Sequence, residues 1–115
     1  ADDPLDRDYQ QKNYHDLGCS DVLLDVYRIY LESAPQKLVK IRELQQQGDS
    51  VTLTGVAHGL KGESGSVGAR YVMAIAADLE KAARAGDLAQ VQALLPELEL
   101  QLQRAVAVIE KELLA

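Results

Sequence analysis

Apolar residues recur every three or four positions along most of the chain, with polar residues between them. This spacing places them on one face of a helix and predicts long amphipathic helices over about residues 20–47 and 88–114. Ser20 or Asp21 is the expected N-cap of the first. Pro35 lies within it and predicts a kink or a short break near Ser33, while Pro96 predicts a kink in the last helix. The inward positions of the first are Leu23, Val26, Tyr27, Tyr30, Ala34, Leu38, Ile41 and Leu44; those of the last are Leu88, Val91, Leu95, Leu98, Leu102, Ala105, Ile109 and Leu113.

Two shorter helices are expected between these, one from about Val51 to Ser64 and one over about residues 69–85. Asp49 or Ser50 would cap the first of them, and residues 65–68 would form the turn that follows it. The pairs Gly48-Asp49 and Gly86-Asp87 predict tight turns, which make neighbouring helices antiparallel. No segment alternates with a period of two. The prediction is an all-α, antiparallel, up-down four-helix bundle over about residues 20–114.

The N-terminal part is predicted to add a short helix to this bundle. Residues 1–7 are interpreted as a polar lead-in, and residues 8–17 as a short helix with apolar contacts from Leu5, Tyr9, Tyr14 and Leu17. With 115 residues, the chain is long enough for one domain, and residues 1–115 are assigned to it.

Composition and charge exclude several classes of protein. A net charge of −6 and no basic patch argue against nucleic-acid binding. A single cysteine, Cys19, excludes an internal disulfide, and His15 with Cys19 supplies only two ligands, so no metal site is predicted. No apolar run is long enough to span a membrane and no secretory signal is visible, so we expect a cytoplasmic monomer.

Glycines are concentrated in the second bundle helix, where each costs about 0.5–1 kcal/mol relative to alanine. At about 100° per residue, His58 lies roughly 140° from the buried stripe of this helix and therefore faces solvent. Lys61 lies one turn further on, and Val51 is an exposed apolar residue on the same face. The glycines are at positions 55, 59, 62, 65 and 68; Gly55, Gly62 and Gly65 flank His58.

This arrangement suits a histidine that a partner protein modifies. A solvated imidazole is a nucleophile near neutral pH because its free pKa is about 6.5. Neighbouring glycines remove the side chains that would block a partner's approach. The cation of Lys61 would offset the charge of a transferred anionic group.

Residues 57–69, Ala-His-Gly-Leu-Lys-Gly-Glu-Ser-Gly-Ser-Val-Gly-Ala, closely resemble the signature of histidine-containing phosphotransfer (HPt) domains of multistep two-component phosphorelays. Leu79-Glu80 supplies the pair that the family places on the next helix. The resemblance covers about residues 20–114, and the motif is most similar to HPt domains of bacterial hybrid sensor histidine kinases.

The resemblance implies a phosphoryl group accepted by His58 at Nε2 from a receiver-domain aspartate and passed to another receiver aspartate. Lys61 would neutralise the phosphoryl oxygens, Glu80 would orient the ring through Nδ1–H, and Gly62 would leave room for the receiver. The implied partners are receiver domains of response regulators or of a hybrid kinase. The chain would bind no cofactor, and the receiver would supply Mg²⁺.

Alternatives remain open at this stage. His58 and Lys61 could be surface residues without a role. Glu80 could be a surface partner of Lys81 or Arg84. Gly62 and Gly65 could serve close helix packing instead of access. A separate alternative is a receiver-binding module without phosphotransfer, against which the intact His58 argues. A dimerising histidine-kinase hairpin is disfavoured by the four-helix count. Phosphate-binding loops and kinase motifs are absent, which argues against autonomous ATP use.

Overall fold

A computed structural model describes residues 2–115 as five α-helices with no strand in that range. A short helix, α1 (Arg7–Gln10), continues as a π-helical turn, Gln11–His15. Four longer helices follow: α2 (Ser20–Gln47), α3 (Ser50–Val67), α4 (Arg70–Arg84) and α5 (Leu88–Leu114). The predicted bundle and its additional N-terminal helix are confirmed.

Each long helix packs against two neighbours around one core: α2 against α3 and α5, and α4 against α3 and α5. Most of the predicted inward positions of α2 and α5 are buried, including Tyr27, Tyr30 and Leu98, and so are Leu60 of α3 and Leu79 of α4. Val26, Ile75, Leu88 and Leu113 are partly buried at the edge of the core. The spacing therefore predicts which face of each helix is apolar.

Helix boundaries follow the glycines that have a left-handed backbone. α2 ends at Gly48 with φ 75° and α3 ends at Gly68 with φ 76°. Residues 65–67 lie inside α3, so the prediction of a turn over residues 65–68 is wrong; only Gly68 has the positive φ that ends a helix. The predicted Asp49 cap is confirmed, since its carboxylate accepts from the Thr52 N–H.

The start and the middle of α2 differ in part from the expectation. The N-cap position is Cys19, whose side chain makes no capping hydrogen bond, rather than Ser20 or Asp21. The helix runs through Pro35 without a break, and α5 runs through Pro96. The apolar stripe of each helix therefore reaches the core as one uninterrupted element.

Residues 2–7 of the predicted lead-in are part of the packed structure, while Ala1 lies outside the described residues. Leu5 is fully buried, and Gln10 is 1% exposed. The Gln10 amide donates to the Tyr27 hydroxyl at 2.8 Å and to the Val67 carbonyl at 2.9 Å. Tyr14 is partly buried as predicted, whereas Leu17 is 67% exposed, so its predicted apolar contact is wrong.

These contacts close the end of the bundle at which α3 finishes. The carbonyls of Ser66, Val67 and Gly68 accept hydrogen bonds from the Tyr14 hydroxyl, the Gln10 amide and the Asp6 N–H. A helix C-terminus leaves such carbonyls without partners inside the helix. The N-terminal segment therefore supplies donors to the end of the helix that contains His58. Within residues 2–115, no helix has the length and hydropathy that crossing a membrane requires.

Candidate functional site

His58 lies on the exposed side of α3, near the middle of the helix. Its side chain is 67% exposed. The opposite side of the helix is buried through Leu53, Ala57, Leu60, Ser64 and Val67. The helical-wheel prediction of an outward histidine is thus met by the geometry.

An open strip of α3 lies beside the His58 ring. A Cβ atom built on Gly55 or on Gly62 would meet no heavy atom within 4 Å. Val51, two turns before His58, is 84% exposed. Gly55 and Gly62 therefore present bare helix backbone one turn before and one turn after His58, and Val51 adds an exposed apolar side chain, in agreement with the predicted outward direction of these three positions.

Gly59 and Gly65 are covered by side chains from neighbouring helices. A Cβ on Gly59 would lie 3.1 Å from Lys37 Cε of α2, whose ammonium pairs with Glu63 at 3.1 Å. A Cβ on Gly65 would lie 3.2 Å from Met73 Sδ of α4. Gly65 therefore does not share the open space found at Gly55 and Gly62, because the thioether of Met73, a residue that is 39% exposed, lies beside it.

Glu80 of α4 faces His58 because α3 and α4 are antiparallel neighbours. Glu80 is 4% exposed, and its Oε2 lies 2.9 Å from His58 Nδ1. An ionised carboxylate only accepts hydrogen bonds, so in this contact Nδ1 carries the proton. In the neutral ring, the lone pair then lies on Nε2, which is directed away from Glu80.

Two cations share the Glu80 carboxylate with His58. Lys61 Nζ lies 2.7 Å from Oε1, and an Arg84 guanidinium nitrogen lies 2.9 Å from Oε2. The hydrogen bond from Lys61, followed by those from His58 and Arg84, lowers the pKa of Glu80 to about 2 despite its desolvation. The carboxylate is therefore ionised at neutral pH, with three donors around it.

Arg84 also belongs to this cluster. The sequence suggests it only as an alternative partner of Glu80. The structure shows both contacts at once, because the Glu80 carboxylate meets His58 and also pairs with Arg84. The signal was the four-residue spacing between the two on α4, which brings side chains together on one helix face. The other named alternative, Lys81, lies instead along a depression shared with Asp78 and Leu94.

The other histidine has different surroundings. His15 Nδ1 lies 2.7 Å from the Ser20 hydroxyl, and Cys19 is a free thiol. Among residues 2–115, no three His, Cys, Asp or Glu side chains are grouped so that they could hold a metal ion. Neither residue joins the Glu80 cluster.

Comparison with protein-family models identifies this arrangement. The model described as Hpt domain matches residues 25–108, which is more than half of the chain. The chain belongs to the Hpt domain family, whose members are phosphotransfer modules of phosphorelays without an ATP site of their own. Searches of curated proteins and of solved structures found no match.

Proposed function

We propose that His58 accepts a phosphoryl group from a phosphorylated aspartate of one receiver domain and passes it to an aspartate of a second receiver. The observation that supports this most strongly is the pairing of an exposed imidazole with a buried carboxylate. His58 is 67% exposed, while the Glu80 side chain that meets its Nδ1 is 6% exposed. The ring is thus held on one side and accessible on the other.

The proposed step forms a bond between Nε2 and phosphorus and breaks the bond between phosphorus and the aspartate oxygen. The aspartate leaves with the bonding electron pair as a carboxylate. The ring keeps its Nδ1 proton and becomes a phosphorylated imidazolium. Its positive charge then lies beside the ionised Glu80 carboxylate, at an Nδ1 to Oε2 distance of 2.9 Å.

Lys61 is proposed to stabilise the phosphoryl oxygens. Its ammonium has three N–H donors, and the contact of 2.7 Å to Glu80 uses one of them. The side chain is 36% exposed, and within residues 2–115 the structure gives its ammonium no other ion pair, which leaves the remaining donors for a bound phosphoryl group. Lys61 can therefore maintain its ion pair with Glu80 and also contact a phosphoryl group bound at His58.

The open strip at Gly55, Gly62 and Val51 is proposed as the surface on which the receiver docks. A receiver must bring its aspartyl phosphate to within bonding distance of Nε2, and side chains at these glycines would stand in its way. The Mg²⁺ ion would be supplied by the receiver and would shield the phosphoryl charge. This chain would contribute the nucleophile, its orientation and one cation.

A relay assay tests the proposal against the receiver-binding module. The chain is incubated with Mg²⁺ and a receiver labelled on its aspartate, and a second, unlabelled receiver is then added. We expect acid-labile label first on this chain and then on the second receiver. Binding of the receiver without any label on the chain would instead establish an interaction module.

A further inference from the structure

Arg84 meets the buried carboxylate of Glu80 from the solvent side. Its side chain is 68% exposed, whereas that of Glu80 is 6% exposed. Both residues are on α4, one turn apart, and the guanidinium nitrogen lies 2.9 Å from Oε2. The same oxygen, Oε2, accepts the hydrogen bond from His58 Nδ1.

The three donors divide between the two oxygens of the carboxylate. Lys61 binds Oε1 at 2.7 Å, while His58 and Arg84 both bind Oε2 at 2.9 Å. A carboxylate has about four lone-pair positions, so Oε2 can accept two donors at once. Lys61 thus holds one oxygen of the Glu80 carboxylate and Arg84 holds the other, and the two contacts together fix the plane of the carboxylate.

We infer that Arg84 is a positioning residue for His58 and acts through Glu80. This inference rests on the proposed function, in which Nε2 is the nucleophile. Without Arg84, the carboxylate keeps the short contact of its other oxygen with Lys61 and is free to rotate about it. Oε2 then moves from Nδ1, and the Nδ1–H form of the neutral ring loses part of its advantage over the Nε2–H form.

The Nε2–H form cannot attack phosphorus, since its Nε2 lone pair is engaged in the ring π-system. A smaller population of the Nδ1–H form therefore lowers the transfer rate in proportion. Arg84 itself need not touch the phosphoryl group for this effect. The positive charge of Arg84 makes its single hydrogen bond to Oε2 a charge-assisted one, which a lysine can replace and a neutral amide reproduces poorly.

The test compares Arg84→Gln, Arg84→Lys and a matched control, Lys81→Gln. Lys81 is an exposed cation on the same helix and lies along the α4 and α5 depression, away from Glu80. For each protein, ¹⁵N NMR of the unphosphorylated chain gives the ratio of the two His58 ring forms. The rate of phosphate uptake is then measured from a labelled receiver and from phosphoramidate, a small donor that requires no docking.

Arg84→Gln should lower the Nδ1–H fraction and slow uptake from both donors by about three- to tenfold, as expected for weakening one charge-assisted hydrogen bond. Arg84→Lys should retain most of the Nδ1–H fraction and most of the uptake rate, and Lys81→Gln should change neither quantity. An unaltered ring-form ratio in Arg84→Gln would overturn the inference. So would slower uptake from the receiver alone, because that result would make Arg84 a docking contact.

The ring-form measurement keeps this inference separate from the proposed function. If the wild-type chain took no phosphate on His58, the proposed function would fail. The ¹⁵N ratio of the unphosphorylated ring would still show whether Arg84 positions Glu80. A wild-type ring that is mainly in the Nε2–H form would contradict the inference directly.

Discussion

Gly62→Ala should make the domain more stable and a poorer phosphoryl acceptor. Gly62 is exposed within α3, and a Cβ built on it meets nothing within 4 Å. The added methyl group therefore buries no surface and strains no neighbour. Only the backbone effect remains, because alanine restricts the unfolded chain and favours the helix by about 0.5–1 kcal/mol.

For a domain of this size, that gain corresponds to a rise in Tm of about 2–5 °C. The same methyl group stands one turn from His58 on the proposed docking surface. A displacement of about 1 Å between reacting groups can cost about 100-fold in rate. We therefore expect uptake from a labelled receiver to slow by about tenfold or more, while uptake from phosphoramidate stays close to wild type.

Thermal unfolding and the initial rate of labelling, measured on one preparation, test both halves of this prediction. Val39→Ala is a suitable control, since Val39 is 54% exposed on α2 and gains helix propensity without altering α3. A destabilised Gly62→Ala would show that the position is packed and would refute the structural reasoning. A stabilised variant with unchanged transfer would show that the receiver docks elsewhere.

Three further predictions concern the carboxylate cluster and the N-terminal segment. Lys61→Ala should slow receiver-dependent uptake or shorten the phosphohistidine lifetime, and it should also lower Tm because the buried Glu80 carboxylate loses its closest cation. A lower Tm with an unchanged uptake rate and an unchanged phosphohistidine lifetime would make Lys61 a structural partner of Glu80 only. Because pairing lowers the pKa of Glu80 from 4.5 to about 2, its stabilising effect should be complete above about pH 4.5 and lost as the pH falls through 2. Urea unfolding of wild type and Glu80→Gln should therefore give a difference that shrinks across that range; a difference that first shrinks near neutral pH would contradict this. Gln10→Leu should destabilise the domain by about 1–3 kcal/mol, because the Val67 carbonyl loses a buried donor, whereas exposed Gln11→Leu should have little effect.

The long helices were predictable because their apolar residues are spaced along one face without interruption. α2 and α5 have the same ends in the structure as in the prediction, Ser20–Gln47 and Leu88–Leu114. The sequence places the end of α3 too early because Gly65 resembles a helix stop. A glycine ends a helix where the backbone turns left-handed, and here that residue is Gly68, whose carbonyl also accepts a hydrogen bond from the Asp6 N–H.

The candidate site was partly predictable for the same reason. The outward direction of His58 follows from helix geometry within α3 alone. Its pairing with Glu80 was implied by the resemblance, whereas the covering of Gly65 by Met73 depends on how α3 and α4 align. The role of Gln10 had no sequence signal, because a polar residue in a short helix is ordinarily exposed.

Mapping the transferred phosphate to a single atom tests the central claim most directly. The chain is labelled from a phosphorylated receiver, and wild type is compared with His58→Gln and with His15→Gln, the only other histidine. We expect NMR to place the phosphoryl group on Nε2 of His58, with uptake abolished in His58→Gln and unchanged in His15→Gln. Label retained by a folded His58→Gln variant, or found on His15, would contradict the account.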